Sequence, residues 1–167
     1  LELRLIAEIG LVGLPNAVKS CLLGFLTQAT PKVGNYPFTT LEPTIGMMGL
    51  RPIADIPGLI EGASKGKGLG TDFLRHIEKT TMLVHCIDLT DPDPMKAYDT
   101  VRGEFEAFSP ALLTKPEIIL LTKADLVAPS VVTKTRALFK KLGKTVLICS
   151  IYDPKSIAKL KKALASK

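Results

Sequence analysis

The octapeptide Gly13-Leu14-Pro15-Asn16-Ala17-Val18-Lys19-Ser20 lies between an apolar run, Leu5 to Val12, and a segment of helical character, Cys21 to Gln28. A buried strand, a short loop closed by Lys-Ser and an immediate helix form the pattern of a phosphate-binding loop. Backbone N–H groups of such a loop cradle phosphates, the lysine reaches the outer ones and the hydroxyl ligates Mg²⁺. The helix N-terminus adds unpaired N–H groups and the positive end of its dipole. All eight residues are therefore candidates for contact with a nucleotide, Lys19 as the catalytic cation and Ser20 as a metal ligand. One position breaks the pattern. Val18 stands where the template GxxxxGK[ST] has its second glycine, and a branched Cβ beside phosphates costs either backbone strain or ligand distance. Replacement by glycine is accordingly expected to improve affinity more than it changes the stability of the domain alone.

Four further apolar runs follow: Ile53 to Ile56, Met82 to Ile87, Ile118 to Leu121 and Val146 to Cys149. Helix-length amphipathic segments separate the later ones. Continuous apolar strands alternating with helices imply a mostly parallel sheet with helices on both faces, because crossover helices bury both sides. The phosphate loop makes this α/β architecture that of a P-loop NTPase of the small-GTPase kind. Ligands in such sheets gather at the carboxyl ends of strands. Gly13, Asp55, Asp125 and Ser150 all stand where runs end, so several polar groups converge on one edge of the sheet.

Between the first helix and the next strand, residues 31 to 41 are rich in breakers and read as an exposed loop. Thr40 in that loop can offer a hydroxyl to Mg²⁺ and its N–H to a terminal phosphate, with Phe38 and Thr39 beside it. Thr44 to Leu50 and Arg51 to Asp55 read as a short hairpin. It leads into Asp55-Ile56-Pro57-Gly58, where Asp55 suits a metal-holding carboxylate and Gly58 a close approach to the terminal phosphate. The glycine-rich stretch 61–70 is a mobile segment, and Thr71 caps a helix over Asp72 to Thr80. His76 and His85 are read as structural. Further on, Thr122-Lys123-Ala124-Asp125 ends a buried strand. A carboxylate at Asp125 can accept from guanine's N–H and exocyclic amine, a donor pair that adenine lacks. Ser150-Ile151-Tyr152 would complete the base pocket.

The chain of 167 residues suits one domain, 1–167, acting as a monomer. No apolar run approaches the ~18 residues of a membrane span, and the first residues lack the basic segment of a secretory signal, so a cytoplasmic setting is expected. Cys21, Cys86 and Cys149 make no metal-ligand spacing, and the last two fall in apolar runs as buried thiols. The net charge of +6 permits contact with nucleic acid without demanding it. Much of the excess sits in two helical segments, Lys134 to Lys141 and Lys155 to Lys167. In the second, Ile157, Leu160 and Leu164 form the buried stripe and the lysines a solvated face.

Three stretches carry a resemblance to a known family: Tyr36-Pro37-Phe38-Thr39-Thr40-Leu41, the run from Ala54 through Asp55-Ile56-Pro57-Gly58 to Ala63, and Gly68-Leu69-Gly70 with Phe73 to Glu78. With them the chain resembles the GTPase domain of the Obg family over nearly its whole length. That resemblance implies binding of GTP and GDP with Mg²⁺, hydrolysis of GTP, and a switching role in assembly of the large ribosomal subunit, with contact to the subunit or its rRNA. The family's glycine-rich N-terminal domain is not in this sequence, so the chain is expected to be part of a longer protein. Leu59 falls where many GTPases carry a water-orienting glutamine. In relatives with an apolar residue there, the asparagine corresponding to Asn16 helps hold K⁺, which implies slow, K⁺-assisted hydrolysis. The sequence departs from the family at Val18, at Thr122 in place of asparagine, at Ile151 in place of alanine, and in a shortened hairpin around Leu50. A nucleotide-impaired scaffold that binds the ribosome is the alternative reading, resting on Val18.

Overall fold

A computed structural model describes residues 7–14, 18–27, 32–33, 44–55 and 78–166. Among these residues the strands are β1 (Ile9–Val12), β2 (Lys32–Val33), β3 (Thr44–Met48), β4 (Arg51–Asp55), β5 (Met82–Asp88), β6 (Glu117–Thr122) and β7 (Thr145–Ile148). The helices are α1 (Lys19–Leu26), α2 (Pro94–Phe108), α3 (Pro129–Lys141) and α4 (Pro154–Ala165), with 3₁₀ turns at Pro110–Thr114 and Ala124–Leu126. All seven strands join one sheet in the order β2-β3-β4-β1-β5-β6-β7. The pairs around β1, β5, β6 and β7 are parallel, whereas β2–β3 and the expected hairpin β3–β4 are antiparallel.

Alternation along β5 divides the core. Met82, Val84 and Cys86 pack with Leu22, Leu23 and Leu26 of α1 and with Ile157, Leu160 and Leu164 of α4. Ile87 packs instead with Tyr98 of α2 and Phe139 of α3. Both faces of the sheet are therefore covered, which is why its central strands tolerate unbroken apolar sequence. The stripe expected in the last helix is the buried one, and Cys86 and Cys149 are buried thiols as read. Burial pushes the Cys86 thiol up to about 12, so it stays protonated at neutral pH.

Local chemistry sets the ends of these elements. Asp93 and Asp153 accept from the backbone N–H groups of Lys96 and Lys155, and Pro94 and Pro154 open their helices where a missing N–H costs nothing. Gly143 follows α3 at φ 76°, the left-handed position that glycine fills without strain. At Gly46 in β3 an added Cβ would lie 2.3 Å from Thr27 Cγ2, so only glycine lets the strand meet the end of α1. One boundary differs from expectation: α1 begins at Lys19, not Cys21. Val18 already supplies the first helical acceptor, its carbonyl bonding Leu22 N at 2.9 Å, so Lys19 and Ser20 are the first residues of the helix. The helix expected over Asp72 to Thr80 and the glycine-rich segment 61–70 fall almost wholly outside the described residues.

Candidate functional site

The carboxyl end of β1 meets that of β4 through the parallel register Leu11↔Asp55, two residues before Gly13. Lys19, at the start of α1, is buried and its Nζ donates to the carbonyls of Gly13 at 3.1 Å and Leu14 at 3.3 Å. Its ammonium is thus folded back over the loop, with one of its three N–H donors left over. Ser20 next to it is exposed. Val18 takes φ 55°, ψ 29°, the left-handed conformation that a glycine would occupy with little strain. Val18 holds this conformation despite its branched side chain, at the expense of backbone strain.

Asp55 is buried, and among the described residues its Oδ1 has no hydrogen-bond partner. Burial pushes its carboxyl above the usual carboxylate range, opposed by the positive charge of Lys19. A buried carboxylate oxygen without a donor at the end of β4, together with an exposed serine at the start of the helix that follows the adjacent strand β1, fits a hard divalent cation such as Mg²⁺. Such an ion takes few protein ligands and completes its shell with water and phosphate. Consistent with that sparse ligation, no group of three or more His, Cys, Asp or Glu able to hold a metal occurs among the described residues.

A cleft opens beside the loop, lined by Val18 and Leu22 on one side and by Thr122, Lys123, Asp125, Ile151 and Tyr152 on the other, over Cys149 and Leu126. Two turns build its far wall. Ala124 N bonds Cys149 O, and Ser150 Oγ donates to Asp125 Oδ1 at 2.9 Å. Ser150 is therefore the group that orients Asp125. Its oxygen also accepts from Tyr152 N, and Ser156 Oγ fixes its backbone through Ser150 O and Ser150 N. Thr122 is buried and donates to Ile87 O. Ile151 lines the cleft.

Lys123 also sits in the left-handed region, at φ 59°. Its Nζ is held by Asp88 Oδ2 at 2.7 Å, and Asp88 Oδ1 accepts from Thr90 N and Oγ1. Burial alone would raise the Asp88 carboxyl, but these bonds outweigh it and hold it below its ordinary value. Sequence reasoning did not single out Asp88. The available signal was its position: like Asp55 and Asp125, it is an acid where an apolar run ends. Pro15, Asn16, Ala17, Phe38, Thr39, Thr40, Ile56, Pro57 and Gly58 lie outside the described residues.

A second polar cluster occupies the α2–α3 face, away from the strand ends that carry the cleft. Glu117, at the start of β6, receives His85 Nδ1 at 2.9 Å, Arg102 Nη1 at 2.8 Å and Lys144 Nζ at 3.2 Å. His85 stacks on Tyr98 and is wholly buried, in keeping with a structural role.

A family model described as "50S ribosome-binding GTPase" matches residues 8–123. The protein named GTPase Obg of Persephonella marina is 45% identical over 99% of this chain and 51% of its own length. GTPase Obg of Aquifex aeolicus is 46% identical over 100% and 51%. The chain thus spans about half the length of these relatives. In three dimensions it resembles the G domain of the T. maritima FeoB iron transporter, with TM-score 0.69, 19% identity, and 96% of this chain and 97% of that one covered. At that identity the likeness establishes the fold alone: a P-loop GTPase domain.

Proposed function

Because the chain belongs to the family of 50S ribosome-binding GTPases, we propose that it binds GTP and GDP, hydrolyses GTP slowly with Mg²⁺, and serves as a switch in assembly of the large ribosomal subunit in the cytoplasm. The observation that carries this reading is a donor-free Asp55 oxygen at the end of β4 together with a Lys19 ammonium, at the start of α1, held over the carbonyls of Gly13 and Leu14 that follow the adjacent strand β1. Its guanine preference rests on Asp125, oriented by Ser150 with Oδ2 turned to no partner among the described residues. No helix among the described residues is long and apolar enough to cross a membrane.

In this reading the backbone of residues 13–18 and the start of α1 wrap the phosphates, and Lys19 gives its remaining N–H to the outer phosphate oxygens. Ser20, Thr40 and Asp55 would hold Mg²⁺, and that ion, when bound, would supply positive charge against the negative charge developing on the phosphates. Thr40 and Gly58 direct N–H groups at the γ-phosphate as water attacks phosphorus and the bridging oxygen departs with GDP. Leu59 cannot orient that water, so turnover would be slow, and Asn16 would help hold a K⁺ whose charge could make up part of the missing stabilisation. The scaffold alternative rests on Val18, whose backbone takes the left-handed conformation that a glycine would occupy here.

Titration with fluorescent GDP, GTP and ATP, followed by phosphate release with Mg²⁺ or EDTA, tests the proposal. Guanine nucleotides should bind far more tightly than ATP, and EDTA should stop release. Equal ATP affinity would overturn the guanine reading, and tight GDP binding with no phosphate release in Mg²⁺ and K⁺ would favour the scaffold. Asp125→Asn should shift preference from guanine to xanthine nucleotides, whose base edge the amide matches.

A further inference from the structure

Positive charge is not spread over this chain. Ten of its 22 Lys and Arg residues but one of its 16 acids lie in residues 129–167, so that stretch carries +9 and the remainder −3. The excess falls on two helices without a single acidic side chain, α3 and α4. On α3, Lys134, Arg136, Lys140 and Lys141 are exposed and enter no ion pair among the described residues. On α4 the same holds for Lys155, Lys159 and Lys162, which follow one helical stripe.

This arrangement is unfavourable for the helices themselves. Like charges four residues apart, as in Arg136 with Lys140 and Lys155 with Lys159, repel on a helix surface. Lys155 also sits in the first turn, at the positive end of the α4 dipole. A solvated face designed only for solubility would interleave glutamates, which would offset both costs. The two helices pack on opposite faces of the sheet, and both adjoin β7, the last strand in the sheet order. The cations thus wrap an edge instead of tiling one plane.

We propose that the ridge formed by α3, the outer edge of β7 and α4 docks on double-stranded RNA. A polyphosphate backbone is the partner whose charge complements so many unpaired cations. Single-stranded RNA is disfavoured because its binding surfaces use aromatic stacking platforms. Neither helix exposes an aromatic ring, since Phe139 is buried. An anionic membrane is disfavoured because an interfacial helix presents one flat apolar face with aromatic anchors. Duplex RNA is instead read through phosphates and shape. The inference rests on the ribosomal reading for the source of the RNA, and on charge and geometry for the surface.

The test is fluorescence anisotropy of the chain with a labelled RNA duplex between 50 and 200 mM salt, with GDP affinity measured alongside. The variants are K134Q/K140Q/K141Q on α3, K155Q/K159Q/K162Q on α4, and K96Q on α2 as a control. Each triple variant should bind RNA at least about tenfold more weakly and flatten the slope of log affinity against log salt by about two to three, roughly one for each phosphate that no longer meets a lysine. The control should leave both unchanged, and GDP affinity and melting should survive in all three. Unchanged RNA binding in both triple variants overturns the ridge, as does equal weakening in the control. Binding of the parent chain to phosphatidylserine vesicles but not to duplex RNA also overturns it. Failure of the parent chain to bind GDP would strike the nucleotide reading and leave the RNA measurement intact.

Discussion

Val18 holds a β-branched side chain at φ 55°, a conformation that costs about 1–3 kcal/mol for such a residue. The strain belongs to the folded chain itself, not only to its encounter with phosphates. Glycine at this position gives back part of the gain through unfolded-state entropy, about 0.5–1 kcal/mol. Val18→Gly should therefore raise the melting temperature by about 2–4 °C, corresponding to roughly 1 kcal/mol in a domain of this size. The expectation from sequence put the gain chiefly in affinity, whereas the Val18 dihedral adds a gain in the stability of the chain without nucleotide. Differential scanning fluorimetry without added nucleotide decides it: an unchanged or lower melting temperature would mean that the loop relaxes around valine. Asp55 presents the opposite trade. Its folded-state pKa is raised, so its ionised form destabilises the fold at neutral pH, a cost relieved as pH falls through that pKa or as a cation arrives. Asp55→Asn should melt higher without Mg²⁺ while losing about tenfold to a hundredfold in Mg²⁺ affinity, the range for a residue acting through a metal's outer shell. A variant that melts lower would assign Asp55 a structural hydrogen bond instead.

At the scale of elements, β5, β6 and α2 are fastened by the Glu117 cluster. Burial pushes the Glu117 carboxyl up, but the bond from His85 and the charges of Lys144 and Arg102 outweigh it and hold it below its ordinary value. Its contribution is present above 4.5, the ordinary value, and lost as pH falls through the depressed one. Burial holds His85 neutral against the pull of Glu117, so acid below its ordinary 6.5 also favours the unfolded chain. Both act in one direction: stability should begin to fall below about pH 6.5 and fall further below pH 4.5. Glu117→Gln should cost about 3 kcal/mol at pH 7, since it leaves cations facing a neutral group in a buried setting. Urea melts across pH check both, and an equal acid sensitivity in Glu117→Gln would exonerate the cluster. None of this was legible beforehand. His85 read correctly as structural from its apolar strand, but its partner lies 32 residues away, and period-based reasoning reaches only neighbours in sequence. Strands β4 to β7 and helices α1, α3 and α4 were legible because their patterns are local. The same limit hid Asp88, whose hold on Lys123 spans 35 residues, and the role of Ser150 as a positioner of Asp125. Val18 was legible as an anomaly but not as a dihedral.

For the whole molecule, the division of charge between residues 129–167 and the rest has a thermodynamic signature. Unpaired like charges on α3 and α4 repel over distances comparable with the Debye length, about 10 Å at 0.1 M salt. Raising NaCl from 0.05 to about 0.5 M should therefore raise the melting temperature, and the two triple glutamine variants should show a smaller rise. A melting temperature indifferent to salt in the parent chain would mean that the helices tolerate their charge.

The walls of the cleft are stitched to themselves more than to one another: Lys19 bonds its own loop, while Ala124 and Asp125 bond the turn after β7. In the proposed nucleotide reading, phosphate end and base end are thus two half-sites held at fixed separation by the sheet between them. A ligand carrying both groups engages the second half-site at an effective concentration set by the rigid span, whereas pyrophosphate and guanosine supplied separately would each meet only one. The covalent bond between base and phosphates should for that reason contribute more to affinity than either end, and the bound nucleotide would act as a tie-bar between the loop after β1 and the turns after β6 and β7.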